Sequence, residues 1–171
     1  MEFPGAKPDD ERDTWVAAPL VSVGPLRFGA THAEVTAALG GASSVPTPGD
    51  RHLGGARFDS VGVTTYYVGG LADGHLSCVA VDAFTGPQVL LDGVALTGRD
   101  PSVVERWTWT EAERDERTLY YSGDADPALA ELGLVVRSQR AGDAALTRPV
   151  FVGYVIEVLD EALPDPEWAT R

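Results

Sequence analysis

Few residues of this chain have types suited to catalysis or metal binding: three histidines, one cysteine and two acidic clusters. His32, His52 and His75 lie far apart, and no two share an i, i+4 ligand spacing on a helix. Cys78 sits in Leu-Ser-Cys-Val-Ala-Val, where a cysteine reads as a small buried hydrophobe rather than a nucleophile. No serine stands in a G-x-S-x-G elbow. The glycine pairs at 40–41, 54–55 and 69–70 lack the lysine and hydroxyl of a phosphate loop. Glu111, Glu113, Asp115 and Glu116 read as a solvated turn or helix end. Asp124 and Asp126 fall short of a calcium loop, lacking its glycine and distal glutamate. A hydrolytic site is left only as an assembly of distant residues such as His75, Asp82 and Arg137. The residues therefore point to no catalytic group, no metal and no cofactor.

The clearest local element is Val23–Gly41. Thr31 and Glu34 stand three apart before an apolar run, the capping-box pattern. Val35, Ala38 and Leu39 follow on one face, and Gly40-Gly41 supply a left-handed exit, so a helix is expected over about 31–39. His32, beside the cap, is expected to face solvent. Pro19 argues against a central strand in Trp15–Val23. Residues 40–57 read as a loop. Strands are expected over 61–68, 76–81, 118–121, 134–138 and 149–159. Asp92-Gly93 between Gln88 and Thr97 is a type I′ hairpin signal. Asp100-Pro101 opens a second helix with Val103, Val104 and Trp107 buried. Asp126-Pro127 opens a third, short one closed by Gly133. The fold class is α+β: an antiparallel sheet with two or three short helices on one face.

Residues 1–13 read as a flexible arm, 14–160 as one domain and 161–171 as an acidic tail. An internal echo divides the domain into halves at 20–85 and 86–160. Gly29 and Gly98 each precede an N-cap by two residues and then an apolar helix face. Thr-Thr-Tyr-Tyr at 64–67 echoes Thr-Leu-Tyr-Tyr at 118–121. The pattern is that of a degenerate tandem repeat.

Of the 171 residues, 13 are basic and 26 acidic, for a formal net charge of −13. That excess disfavours nucleic acid and anionic membranes, which need clustered Lys and Arg, and favours a basic protein partner. The single cysteine excludes an internal disulfide. The acidic N-terminus lacks the apolar core of a secretory signal, and no apolar run is long enough for a membrane span, so a cytoplasmic protein is expected. The adjacent tyrosine pairs send one ring to each sheet face. Tyr66, Tyr120 and Trp109, with Glu111, Glu113, Asp115 and Asp124, are the expected partner-binding residues: aromatic rings beside carboxylates suit a basic surface.

Leu-Arg-Phe-Gly-Ala-Thr-His-Ala-Glu-Val-Thr-Ala-Ala-Leu-Gly, carried by Gly29, Thr31, Glu34, Val35, Leu39 and Gly40, resembles the opening of SmpA/OmlA and β-lactamase-inhibitor-protein-like modules. The resemblance spans about fifteen residues. It implies a helix-plus-sheet binding module, sometimes duplicated, that holds another protein on its sheet. The family's leader sequences and paired cysteines have no counterpart here. In size and acidity the chain is also similar to bacterial immunity proteins, which neutralise a toxin. The expected function is an immunity- or inhibitor-type protein that occludes a basic toxin or enzyme. An envelope-assembly or small-ligand module of the same fold is the alternative.

Overall fold

The structure is a computed structural model that describes residues 5–48 and 53–170. It is α+β. In chain order the elements are β1 (Thr14–Ala18), β2 (Ser22–Val23), β3 (Leu26–Arg27), α1 (His32–Ala38), β4 (Val45–Thr47), β5 (Leu53–Phe58), β6 (Val63–Val68) and β7 (His75–Val81). They continue with β8 (Gln88–Leu91), β9 (Val94–Ala95), α2 (Pro101–Arg114), β10 (Leu119–Tyr121), β11 (Pro127–Leu129), β12 (Leu134–Ala141), β13 (Ala144–Val152) and α3 (Asp165–Ala169). An eight-stranded sheet runs β10-β11-β12-β13-β7-β6-β5-β4, and a five-stranded one runs β3-β2-β1-β8-β9. All pairings are antiparallel except β1 with β8.

Local chemistry explains most of these elements. The Glu34 N–H donates to Thr31 Oγ1 (3.2 Å), which caps α1. Gly40 and Gly41 leave it at φ +70° and +79°. Val35 is buried and Leu39 half-buried, but Ala38 is exposed, because seven residues give the helix only a narrow buried stripe. Asp100 Oδ1 accepts the Ser102 N–H (2.9 Å) and Pro101 takes the first helical position of α2. Asp92 and Gly93 both have positive φ, the type I′ geometry between β8 and β9.

Several expectations change. Residues 40–57 hold β4 and β5, since Ala56 and Phe58 alternate into the core despite the surrounding glycines. Pro127–Leu132 form β11 and a 3₁₀ turn instead of a helix, because pairing with both β10 and β12 outweighs local propensity. Residues 5–13 are packed against the body. Arg12, only 7% exposed, donates to the carbonyls of Lys7 (2.8 Å), Ala83 (2.9 Å) and Gly86 (2.6 Å).

The eight-stranded sheet reads alike from both edges. β4 to β7 and β10 to β13 are four-stranded meanders, each preceded by a helix, that meet at β7·β13. The Gly29 N–H donates to Leu76 O (2.8 Å) and the Leu76 N–H to Ala30 O (2.7 Å). In the other half, the Gly98 N–H donates to Thr147 O and the Thr147 N–H to Arg99 O, both at 2.9 Å. The chain shift that carries Leu76 to Thr147 also carries Phe58 to Leu129 and Gly62 to Gly133. It turns the pair Val79↔Phe151 into Val150↔Ala80, as a two-fold axis normal to the sheet would. Gly62 and Gly133 sit at φ +81° and +60°, and a Cβ on either would lie within 2.6 Å of backbone atoms. The tyrosine pairs fall outside this equivalence. Tyr66 and Tyr67 lie on the third strand of one meander, Tyr120 and Tyr121 on the first strand of the other.

Each sheet face is covered differently. α1, α2 and the five-stranded sheet bury one face around Val35, Phe58, Tyr67, Val104, Leu129 and Phe151. The other face, with Tyr66, Cys78, Ala80, Val135, Val150 and Val152, is closed by Ile156, Ala162, Leu163 and Trp168. Residues 161–170 are therefore a docked segment rather than a tail. Glu167, 2% exposed, accepts the Tyr66 hydroxyl (2.6 Å) and two bonds from Arg148 (2.9 and 3.1 Å). Arg137 donates to the carbonyls of Trp168 and Thr170 (both 2.8 Å), and its guanidinium lies 5.2 Å from the Trp168 ring centre.

Two stability predictions follow from this closure. Phe58→Ala and Leu129→Ala should each cost about 2–5 kcal/mol in urea unfolding, with tryptophan fluorescence and far-ultraviolet dichroism tracing one transition. Two separated transitions would mean that the halves do not share a core. Glu167→Ala removes both carboxylate hydrogen bonds from the buried Arg148, leaving Asp82 at 3.8 Å, and should cost about 3–5 kcal/mol. A change below about 1 kcal/mol would show that the segment does not seal this face.

Candidate functional site

The residues nominated for chemistry are scattered or already engaged. His75 is exposed at the start of β7, and Asp82 follows its far end, so seven residues of strand hold them roughly 23 Å apart. Burial pushes the Asp82 carboxyl up. Bonds from Gln139 and from the Thr85 and Phe84 amides outweigh it and hold the carboxyl below its usual range. Arg137, 2% exposed, is tied to Asp126 (2.5 Å) and Asp124 (3.3 Å), so this acidic pair holds a guanidinium. Burial raises the Cys78 thiol well above its ordinary pKa, with the Glu167 charge adding to it. A thiol held protonated is a poor nucleophile. Among the described residues no three His, Cys, Asp or Glu side chains form a metal-binding group. His52 lies outside the described residues.

His32 differs from expectation. It stands on the first turn of α1, turned inward over β6. Its Nδ1 lies 3.1 Å from the Tyr67 hydroxyl and its Nε2 3.3 Å from Ser44 Oγ. Its ring meets Tyr67 edge-on at 5.3 Å. Burial lowers the His32 pKa. Burial also raises Tyr67, to about 12, against the opposing bond from Thr65. This cluster ties α1 to the sheet.

The exposed surface of α2 carries a more distinctive group. Glu105, Trp109 and Glu113 stand at i, i+4 and i+8, one above another on the helix. Trp109 is 55% exposed. Its indole N–H donates to the Tyr121 hydroxyl on β10, and that hydroxyl donates to Glu105 Oε1 at 3.2 Å. Two aromatic rings and a carboxylate are thus held in one outward-facing chain. Leu119, two residues before Tyr121, packs inward beside α2 and fixes the strand against the helix.

The structure splits the expected binding residues. Trp109, Glu113 and Asp115 are exposed together at the outer side of α2 and its C-terminal end. Tyr120, 37% exposed, projects from the opposite face of β10. Asp124 lies in the β10–β11 turn beside Arg137. Tyr66 and Glu111 are not surface residues. Alternation does place Tyr66 opposite Tyr67, but the C-terminal segment covers that second face and leaves Tyr66 2% exposed. Glu111, 3% exposed, is folded under Arg114 (2.5 Å) and Arg117 (3.9 Å). α2 runs longer than its apolar pattern suggests and carries Glu111 onto its inner face. Val103, expected inside, is 57% exposed, whereas Thr108 is fully buried. Sequence reasoning missed Tyr121 and Glu105. The i, i+4 relation of Glu105 to Trp109 was the available signal; Tyr121 required the packing of β10 beside α2.

No helix among the described residues is long and apolar enough to cross a membrane. The half-buried imidazole of His32 predicts a pH response. A folded-state pKa below the unfolded value means that the unfolded chain binds the proton more readily. Stability contributed by His32 is complete above about pH 6.5 and falls as pH drops through and below that value. Urea unfolding between pH 7 and 5.5 should show this loss in the wild type and not in His32→Gln. Equal slopes for the two proteins would refute it.

No family model matches this chain, and no curated protein or solved structure is similar enough to count as a relative.

Proposed function

We propose that this is a non-enzymatic protein-binding module of the immunity or inhibitor type, which occludes a basic toxin or enzyme through the outer side of α2 and the adjoining edge of the sheet. The observation that carries this reading is the exposed Trp109–Tyr121–Glu105 chain. Large aromatic side chains are normally withdrawn from water, and Trp and Tyr are the residues most enriched in binding hot spots. Here they are exposed and already ordered by hydrogen bonds, so little side-chain freedom is lost on association.

Charge supports the same reading. Glu105 and Glu113 flank Trp109 on its stripe, and the chain as a whole carries −13. Such a field accelerates encounter with a basic surface and repels acidic ones. The separation of His75 from Asp82, and the engagement of Arg137 by two carboxylates, give the hydrolase alternative no support.

The test is a binding measurement with the protein encoded by the neighbouring reading frame. Mixed at micromolar concentration, the two should form a complex whose association slows as salt is raised. Trp109→Ala should weaken it by about 30-fold, the equivalent of a 2 kcal/mol hot spot, with unfolding stability unchanged. A complex insensitive to Trp109→Ala and to salt would refute the proposed surface.

A further inference from the structure

The eight-stranded sheet has two outer edges, β10 and β4. β4 carries Pro46, which has no N–H to offer, and so is blunted. β10 has no proline. Its pairing with β11 fixes which of its main-chain groups face outward. The Ala130 N–H donates to Thr118 O, and the Ser122 N–H donates to Asp126 O, both at 3.0 Å. The Glu131 carboxylate takes the Thr118 N–H at 2.9 Å. Because bonded and non-bonded positions alternate along an antiparallel pair, residues 118, 120 and 122 point toward β11. The N–H and C=O of Leu119 and Tyr121 point away from it, and among the described residues no hydrogen bond to them is found.

We infer that this edge accepts an extended, arginine- or lysine-bearing segment of a basic partner as a ninth strand, paired with the main chain of Leu119 and Tyr121. The inference rests on the binding role proposed for the α2 surface and specifies its mode. Main-chain pairing supplies attachment, and alternate side chains supply selectivity. A side chain opposite Leu119 or Tyr121 lies on the α2 side of the sheet. There it meets the exposed Trp109 ring and the Glu105 carboxylate, which suits a cation: ring face and carboxylate both attract it. The residue between them lies on the other face, beside Tyr120. Of the cations nearest this edge, Arg114 and Arg117 face Glu111 and Asp115, and Arg106, at i, i+3 to Trp109, is the cation that the Glu105 and Glu113 carboxylates must outweigh. The partner segment is thus extended, with cationic side chains at every second position.

A capped peptide, acetyl-Thr-Arg-Val-Arg-Thr-amide, is the probe, titrated into the ¹⁵N-labelled full chain. Exchange of the Leu119 and Tyr121 amides should slow by about ten-fold or more at saturation, and the Trp109 indole resonance should shift. The same peptide N-methylated at both arginines cannot donate to the Leu119 and Tyr121 carbonyls and should bind at least about ten-fold more weakly. This control leaves the protein unaltered, so folding is not at issue. Thr-Glu-Val-Glu-Thr should not bind. Equal binding of the methylated peptide, or no response up to about 10 mM of the parent peptide, overturns the ninth strand. The neighbouring-frame partner separates the two readings. If its complex is weakened by Trp109→Ala while the Leu119 and Tyr121 amides still exchange freely, strand addition falls and the side-chain surface stands. If Trp109→Ala has no effect on that complex, the surface itself falls.

Discussion

The antiparallel join of β7 and β13 is the constraint from which the rest of the molecule follows. Three residue pairs, Ala80↔Val150, Val79↔Phe151 and Cys78↔Val152, fuse two four-stranded meanders into one sheet. Strands at such a seam are buried on both sides, so both faces must be covered. One is covered by the helices that precede each meander and by the small sheet built from β1–β3, β8 and β9. The other has no helix of comparable size. It is closed by the last part of the chain, and the buried Arg148–Glu167 and Arg137–Asp126 pairs lie under or beside that closure.

The closure is polar where a packed core would have been simpler. Arg148 and Glu167 are almost fully withdrawn from water, and Arg137 is fixed by Asp126 and by two main-chain carbonyls. Buried ion pairs of this kind add little net stability, because desolvation offsets most of the attraction, yet losing one partner is costly. Their effect is to fix register. Arg148 donates to both oxygens of the Glu167 carboxylate, which fits in one orientation only, and the Tyr66 hydroxyl donates to the same carboxylate. A slip of the C-terminal segment by one residue would strand a charge. The pseudo-two-fold relation places Tyr66 and Arg137 at equivalent positions of the two meanders, so one half contributes a hydroxyl and the other a guanidinium to the same covering segment.

With both sheet faces closed, the surface open to partners is at the perimeter. The resemblance to modules that bind protein on an open sheet implies a face that here is occupied by the chain itself. The outer stripe of α2 and the free edge of β10 lie at that perimeter, with rings and carboxylates held by each other. In the proposed complex the excess of negative charge would bias encounter at long range, and the local geometry would supply the contact. Residues of the α2 stripe contact water, and those of the seam do not.

Local chemistry alone determined much. Caps at Thr31 and Asp100, the glycine exits of α1, the Asp92-Gly93 turn and the strands around Val63, His75, Leu134 and Val150 follow from interactions within a few residues. The tandem order was legible in the glycine–cap–helix echo, because Gly29 and Gly98 make the same paired bonds to β7 and β13. The Tyr-Tyr echo misled because like dipeptides occupy unlike strands. Pairing partners decided the rest. β4 and β5 formed in a glycine-rich stretch, and Pro127–Leu129 became a strand, because neighbouring strands satisfied their backbone. Tyr66, Glu111, His32 and Glu167 moved inside because burial depends on what arrives from distant chain, which periodicity cannot report. The sequence therefore determined most of the helices, strands and turns, β4, β5 and β11 excepted, and which aromatic residues and carboxylates the chain carries. Only the tertiary structure decided which of them face water: Trp109 and Tyr121 stay exposed because α2 and β10 end the sheet there, and Tyr66 does not because the C-terminal segment returns across its face.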